Sequence, residues 1–305
     1  MIRQRQSGWG LRKYSAGVML LAAVFSLARL AAPAQAATSA PACAWQYNNF
    51  TTNSAGYDSN AHYWITPFTN QADLTITVHG VFPTARYFSL TAYNGLATAG
   101  TANVIHDTQI AANADGSYTV MVSHAAGANT IQFANMLNGV TGYLVLRVTL
   151  PIGNLPLPSL TFTTNADSVP LQPCTTYATL NSSGVFNNPE ATYVNMLPPY
   201  PMGNTVTVIS GKAPTAVRYW SLCSYLWTAT LMDCRYDGNI PTTNGYYHVV
   251  LGQTGQKNAT VAAGYTYLQY GGIVTLRNLL VNQTTGVYAP VVKICAITDR
   301  TCIGG

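Results

Sequence analysis

Acidic residues are scarce in this chain: 9 Asp and Glu among 305 residues, with Glu190 the sole glutamate. Catalysis by a carboxylate pair therefore has little to draw on, which argues against a glycosidase. The basic surplus is equally thin. Arg3, Arg5, Arg12, Lys13 and Arg29 fall in the first 36 residues, which hold no acid. The remaining chain has 9 of its 14 Lys/Arg against all 9 acids, a formal net charge of zero. Nucleic-acid binding needs clustered cations to displace counterions, and polybasic membrane adhesion needs the same, so neither partner fits. No G-x-S-x-G elbow, phosphate-binding glycine loop or C-x-x-C spacing occurs. The serine-hydrolase, P-loop and zinc readings lose their signatures with them. Neither a cofactor nor a metal is expected. The five histidines, His62, His79, His106, His124 and His248, show no i,i+2 or i,i+4 pairing. His106 and Asp107 are adjacent, but neighbours on a strand face opposite ways, so they make no dyad.

The single long apolar run, Ala16–Ala28, follows a basic N-terminus and precedes Ala34-Gln35-Ala36. That arrangement is expected to be a cleaved secretory signal over residues 1–36, with no transmembrane segment afterwards. A secreted, extracellular or periplasmic protein follows. All six cysteines, Cys43, Cys174, Cys223, Cys234, Cys295 and Cys302, lie beyond the signal and are expected to form disulfides. Cys223 and Cys234 flank a short return between strand-like runs and should bridge, as should Cys295 and Cys302 in the tail. Cys43 would then join Cys174. The rival pairing is Cys43–Cys302 with Cys174–Cys295.

What the chain has in abundance is repetition. Residues 83–90 read PTARYFSL and residues 214–222 read PTAVRYWSL. DLTITVHG (residues 73–80) matches NTVTVISG (204–211), DGSYTV (115–120) matches NGYYHV (244–249), and YLVLR (143–147) matches IVTLR (273–277). A steady offset of roughly 130 residues marks a tandem duplication. Short period-two runs separated by Gly, Pro and Asn turns make each copy a β-sandwich or jelly roll, so the fold class is all-β. Only 130–137 and 259–269 are candidates for short helix. The expected division is a lead-in over 37–57, a first sandwich over 58–150, a Pro-rich connector over 151–186, and a second sandwich with its tail over 187–305. Two packed domains are favoured over one composite sandwich.

The runs RYWSLCSYL, MDCRYDGNI, NGYYHVVLG and IVTLRNLL resemble a family of uncharacterised secreted bacterial proteins with an Arg-Tyr-Trp-Ser-Leu-Cys strand. ARYFSLTAYNG is more similar to a related jelly-roll domain of unknown function. The resemblance implies a fold and no activity. The first repeat departs from it by lacking both cysteines and by having Phe88 where the family has Trp.

Repeated charges are the sharpest site signal. Arg86 matches Arg218, Asp107 matches Asp237, and Arg147 matches Arg277. Alternation places Arg86 with Phe88 and Leu90, and Arg218 with Trp220 and Leu222, on the core side. Two readings follow. Each repeat holds a buried structural pin, Arg86 to Asp107 and Arg218 to Asp237, or these four residues form two anion-binding sites. Trp64 and Trp227 are candidate stacking platforms for a neutral glycan or a small apolar ligand, or ordinary strand filling. The functional expectation is a secreted, non-catalytic binding protein for such a ligand, or one that assembles with a surface protein. An extracellular hydrolase with dispersed catalytic groups is the alternative.

Overall fold

The computed structural model describes residues 45–47, 57–95, 101–133, 138–164, 168–169, 188–279 and 288–304. Within the compact unit Ser39–Gly305, the duplication appears as two β-sandwiches of the same plan. The expected signal segment, Cys43 and Cys174 lie outside the described residues. So does any bridge involving either cysteine.

In the first repeat, β2 (Ala61–Thr69), β8 (Thr141–Pro151), β4 (Ala85–Tyr93) and β5 (Thr101–His106) form one sheet, extended by β1 (Gln46–Tyr47). The facing sheet runs β10 (Ser168–Val169), β9 (Ser159–Thr163), β3 (Thr75–Val81), β6 (Ser117–Ser123) and β7 (Thr130–Gln132). The second repeat reproduces both layers. Its first sheet is β11 (Ala191–Met196), β18 (Gly272–Leu279), β13 (Tyr219–Leu226) and β14 (Leu231–Tyr236). Its second is β15 (Thr242–Thr243), β16 (Tyr246–Gly252), β12 (Thr205–Lys212) and β19 (Val291–Ala296), with β17 (Thr266–Gln269) also on β16. Pairing is antiparallel except for β6 with β7 and β16 with β17.

Alternation sets which residues meet inside. Phe88 and Leu90 of β4, Ile76 and Val78 of β3, and Val120 and Val122 of β6 share the first core. Trp220 and Leu222 of β13, Ile209 of β12 and Val249 of β16 share the second. The opposite side of β4 is nevertheless buried too, at Tyr87, Ser89 and Tyr93. A strand covered on one side only would expose these residues, so this sheet is packed on both faces.

Three sequence expectations change here. Thr130–Gln132 is strand, not helix, as suits a Thr-Ile pair with β-branched side chains. Residues 259–269 divide between a one-and-a-half-turn helix, Lys257–Ala262, and β17. The Pro-rich stretch contributes β9, which pairs with β3, so it is sheet as well as connector. Its prolines respect the ladder: Pro151 ends β8 and Pro158 directly precedes β9. Both expected local disulfides form. Cys223–Cys234 joins directly opposed residues of β13 and β14, and Cys295–Cys302 ties β19 to the C-terminal helix Arg300–Gly304.

One glycine is required by close approach. A Cβ on Gly271 would sit 2.5 Å from both the carbonyl carbon and oxygen of Tyr225, a backbone that has nowhere to move. Gly271→Ala should therefore cost about 1–3 kcal/mol by overpacking. Gly255→Ala, with nothing within 4 Å, is the neutral control. Urea midpoints of the two variants check this expectation.

Candidate functional site

Two places gather polar side chains: the contact between the repeats, and an open cleft on the second repeat. The first is built by register. Across β2, β8, β4 and β5, Tyr63, Arg147, Ser89 and His106 stand in one row of directly opposed residues. Across β11, β18, β13 and β14 the matching row is Tyr193, Arg277, Ser221 and Tyr236. Arg147 and Arg277 are 4% and 6% exposed, so both guanidinium groups sit inside the protein. Each lies over a tyrosine ring of its own row, Tyr63 at 5.4 Å and Tyr193 at 5.3 Å from the centroid. Such stacking suits the planar, weakly hydrated arginine head.

Residues at the start of each repeat then cross into the other. Asp58 Oδ2 accepts hydrogen bonds from Arg277 Nη1 at 2.8 Å, Tyr219 Oη at 2.7 Å and Ser221 Oγ at 2.6 Å. Its Oδ1 accepts from the Asn60 backbone N–H at 2.9 Å. Burial pushes the Asp58 carboxyl up. The Arg277 charge and the hydrogen bonds to Ser221, Asn60 and Tyr219 outweigh it and hold the group below its usual range. Burial, only partly offset by the Arg277 and Arg147 charges, pushes the Tyr63 phenol up to about 12. On the first repeat, Tyr87 Oη donates to Glu190 Oε2 at 2.6 Å and accepts from Asn188 Nδ2 at 3.2 Å. His106 Nδ1 lies 2.6 Å from Glu190 Oε1, which assigns the proton to Nδ1.

The repeated charges lock the same contact, but not as expected. Arg218 binds Asp107 through Nη1–Oδ1 at 2.5 Å and Nη2–Oδ2 at 2.6 Å, and Arg86 pairs with Asp237. Each arginine reaches the aspartate of the other repeat. The expected pins within one repeat are thus corrected to a reciprocal pair between repeats. They are also less buried than expected, with the Arg86 side chain 38% exposed. Arg86 is the second residue of β4 and Arg218 directly precedes β13, so both stand where the chain enters the sheet. Having carboxylate partners inside the fold, these four residues have their strongest groups engaged without an anionic ligand.

Ser89, His106 and Glu190 are residue types of a hydrolytic triad, and they neighbour one another. Ser89 is fully buried, however, and its counterpart Ser221 donates to Asp58. Asp58, Cys223 and Cys234 form a compact group of metal-ligating residue types. The two sulfurs are joined in a disulfide, which removes the thiolates a metal would need.

The second place is a cleft of about 730 Å³ on the outer side of β16 and β12. Val206, Val208 and Val250 of this sheet, with Cys295, are covered by Ile303 of the C-terminal helix. Away from Ile303 the described residues leave this face open. Ser210 and His248 are directly opposed there and line the cleft, and Val291 opposes Ser210 from β19. Tyr246, Thr243 and Asn244 line it from the β15–β16 hairpin, Tyr265 and Thr266 from the start of β17, and Gly304 from the helix. His248 Nδ1 is buried and has no hydrogen-bond partner among the described residues. Burial first, then the neighbouring Lys293 ammonium, holds this imidazole below the usual histidine range.

The two tryptophans separate. Trp64 is 8% exposed within the first core, which withdraws it as a stacking platform. Trp227 is 68% exposed, with its indole nitrogen 2.7 Å from where a Cβ on Gly272 would stand, and it is not among the residues lining the cleft. Sequence reading missed the cleft because its residues are neutral, short and scattered from 210 to 304. One signal was available. Outward positions Thr75 and Thr77 of the first repeat become Val206 and Val208 in the second, announcing a cover on that face alone.

No family model matches the chain, and no curated protein does. Among solved structures, an uncharacterised protein from Burkholderia cenocepacia is similar with a TM-score of 0.62 at 13% identity, over 80% of this chain and 79% of that one. A protein from Vibrio parahaemolyticus aligns with a TM-score of 0.48 at 12% identity, over 80% of this chain and 91% of that one. The first likeness supports the all-β sandwich fold and nothing further.

Two measurements test the inter-repeat contact. Asp58→Asn leaves the Arg277 charge buried without its carboxylate and should lower stability by about 3–5 kcal/mol in chemical denaturation. A double-mutant cycle on Arg218 and Asp107 should give a coupling of about 0.5–3 kcal/mol. The cycle on Arg218 and Asp237 should give none, because those residues have other partners.

Proposed function

We propose that this is an exported, non-catalytic binding protein whose ligand site is the cleft on the outer sheet of the second repeat. The reading is carried by the chemistry of that cleft. Its volume falls in the range of small-molecule sites, and its lining contains aromatic rings, hydroxyls and an amide but no carboxylate, cysteine or arginine. The groups that would serve acid–base or nucleophilic chemistry are employed elsewhere. Glu190 and His106 engage each other between the repeats, and Asp58 holds Arg277. Export is supported by the N-terminal sequence pattern and by two disulfides in the described residues. Among the described residues no helix is long and apolar enough to cross a membrane.

The first repeat serves as the rigid partner. Its corresponding outer face carries exposed His79, Met121 and Thr161, and among the described residues no helix lies over it.

A screen of neutral glycans and lipids against the purified protein, with size-exclusion chromatography alongside, tests the reading. Binding is expected, and Val291→Glu should weaken it at least tenfold without changing the thermal midpoint, since Val291 is 62% exposed. Turnover of an ester or glycoside that one point mutation in the cleft abolishes would overturn it.

A further inference from the structure

Resting on that reading, we propose that the cleft holds one neutral sugar ring. His248 accepts a hydrogen bond from a sugar hydroxyl while its imidazole is uncharged, and Tyr246 offers the stacking surface. Three features of the cleft select this ligand class. The first is electrostatic. No residue of the lining carries a formal charge at neutral pH once His248 is neutral, so a charged ligand would be desolvated without a counter-charge. The second is polarity. An aliphatic ligand would cover Ser210, Thr243, Asn244, Thr266 and His248 while hydrogen-bonding none of them, at a cost for each polar group stranded. The third is shape chemistry. Tyr246 is 51% exposed and Val291 62% exposed, which provides apolar surface beside those polar groups. A sugar ring has the matching pair of surfaces, an apolar C–H face and a rim of hydroxyls.

His248 is the residue that reads the hydroxyl. It is set mid-strand in β16, opposed by Ser210 on β12, so its place is fixed by the sheet. Its Nδ1 is a buried polar atom with no partner among the described residues and is shut off from the cleft, so Nε2 is the nitrogen that a ligand hydroxyl reaches. A neutral imidazole has one acceptor nitrogen, and protonation removes it. The ionisable groups around it are few. Lys293 on β19 acts on it directly, and Lys212 on β12 lies over the Tyr288 ring at 5.0 Å. Tyr246 on its own strand and Tyr265 before β17 line the same cleft, β15 brings none, and the terminal helix brings Arg300 at its start. Asp299, ahead of the terminal helix, accepts from the Cys302 N–H, and among the described residues Lys293 is the one charged group that acts on the imidazole. The sign of the pH effect follows. A ligand hydroxyl that donates to neutral His248 lowers the imidazole pKa further, so binding is at full strength above the histidine range. It weakens as pH falls through that range, by up to tenfold per pH unit.

The experiment titrates the purified protein with neutral methyl glycosides of glucose, galactose, mannose and N-acetylglucosamine, following amide and imidazole NMR signals from pH 8 to pH 5. Methyl glucuronide and hexanol serve as the anionic and apolar probes. The expected result is binding of a neutral glycoside with shifts at Tyr246, His248 and Thr266. Affinity should be flat from pH 8 to 7 and fall below pH 6. His248→Phe should weaken binding at least tenfold and remove the pH dependence, and Tyr246→Ala should weaken it while leaving the pH dependence intact. Tyr246 is half exposed, so that variant keeps the test informative if the histidine variant folds poorly. Glycoside binding that is indifferent to pH and to His248→Phe overturns the inference, and so does a preference for glucuronide or hexanol in the same cleft. In either case the cleft remains a binding site. Failure of every probe to shift cleft resonances in the folded protein removes the proposed function as well.

Discussion

The buried ion pair between Asp58 and Arg277 is the interaction the two-repeat arrangement depends on. A charge in the interior is tolerated only when its partner and its hydrogen bonds are complete, and here the carboxylate is supplied by the other repeat. Neither sandwich can therefore present this face to water unchanged. The second repeat alone would keep Arg277 without Asp58, and the first alone would keep Tyr87 without Glu190 and Asn188. The rim pairs Arg218–Asp107 and Arg86–Asp237 repeat the same logic in weaker form. An exchange in which each partner gives the other the same residue is the pattern of an isologous contact between identical subunits. The duplication has placed that contact within one chain.

This exchange also explains where sequence reading succeeded and where it failed. Arg86, Asp107, Arg218 and Asp237 stand out from the sequence because charges are rare and these recur at matching positions. Their pairing could not be read, since an arginine in one copy is the same distance in pattern from either aspartate. Alternation correctly put Phe88 and Leu90 inside the first sandwich and Trp220 and Leu222 inside the second. It was silent about Tyr87, which packs against Tyr219 and Leu279 of the neighbouring repeat. The two local disulfides were legible because their loops are short. Thr130–Gln132 was not, because a three-residue strand held by parallel pairing has no periodicity of its own.

Symmetry at the contact contrasts with asymmetry elsewhere. Asp58 at the start of one repeat corresponds to Asn188 at the start of the other, and Asn60 to Glu190. The second half of the contact therefore keeps its shape with its carboxylate moved two residues along. His106 accompanies that move, taking the place of Tyr236 and receiving Glu190. Such compensation preserves a filled, hydrogen-bonded interface while letting the two sequences diverge.

The outer sheets carry no such obligation, and there the copies have separated. In the first repeat the outward row of β3 is Thr75, Thr77 and His79, residues that water can cover. In the second, Val206 and Val208 demand an apolar cover, and the C-terminal helix with Ile303 provides it, tied down by Cys295–Cys302. A cover five residues long cannot reach the whole face. Beside Gly304 lies a recess whose floor is strand, whose walls are the β15–β16 hairpin and the β17 entry, and whose rim is Val291. The cleft thus lies between the stapled helix and the edge of the sheet it covers. Its neutrality follows from the same scarcity of charge that runs through the chain, several of whose few charged groups are spent joining the repeats.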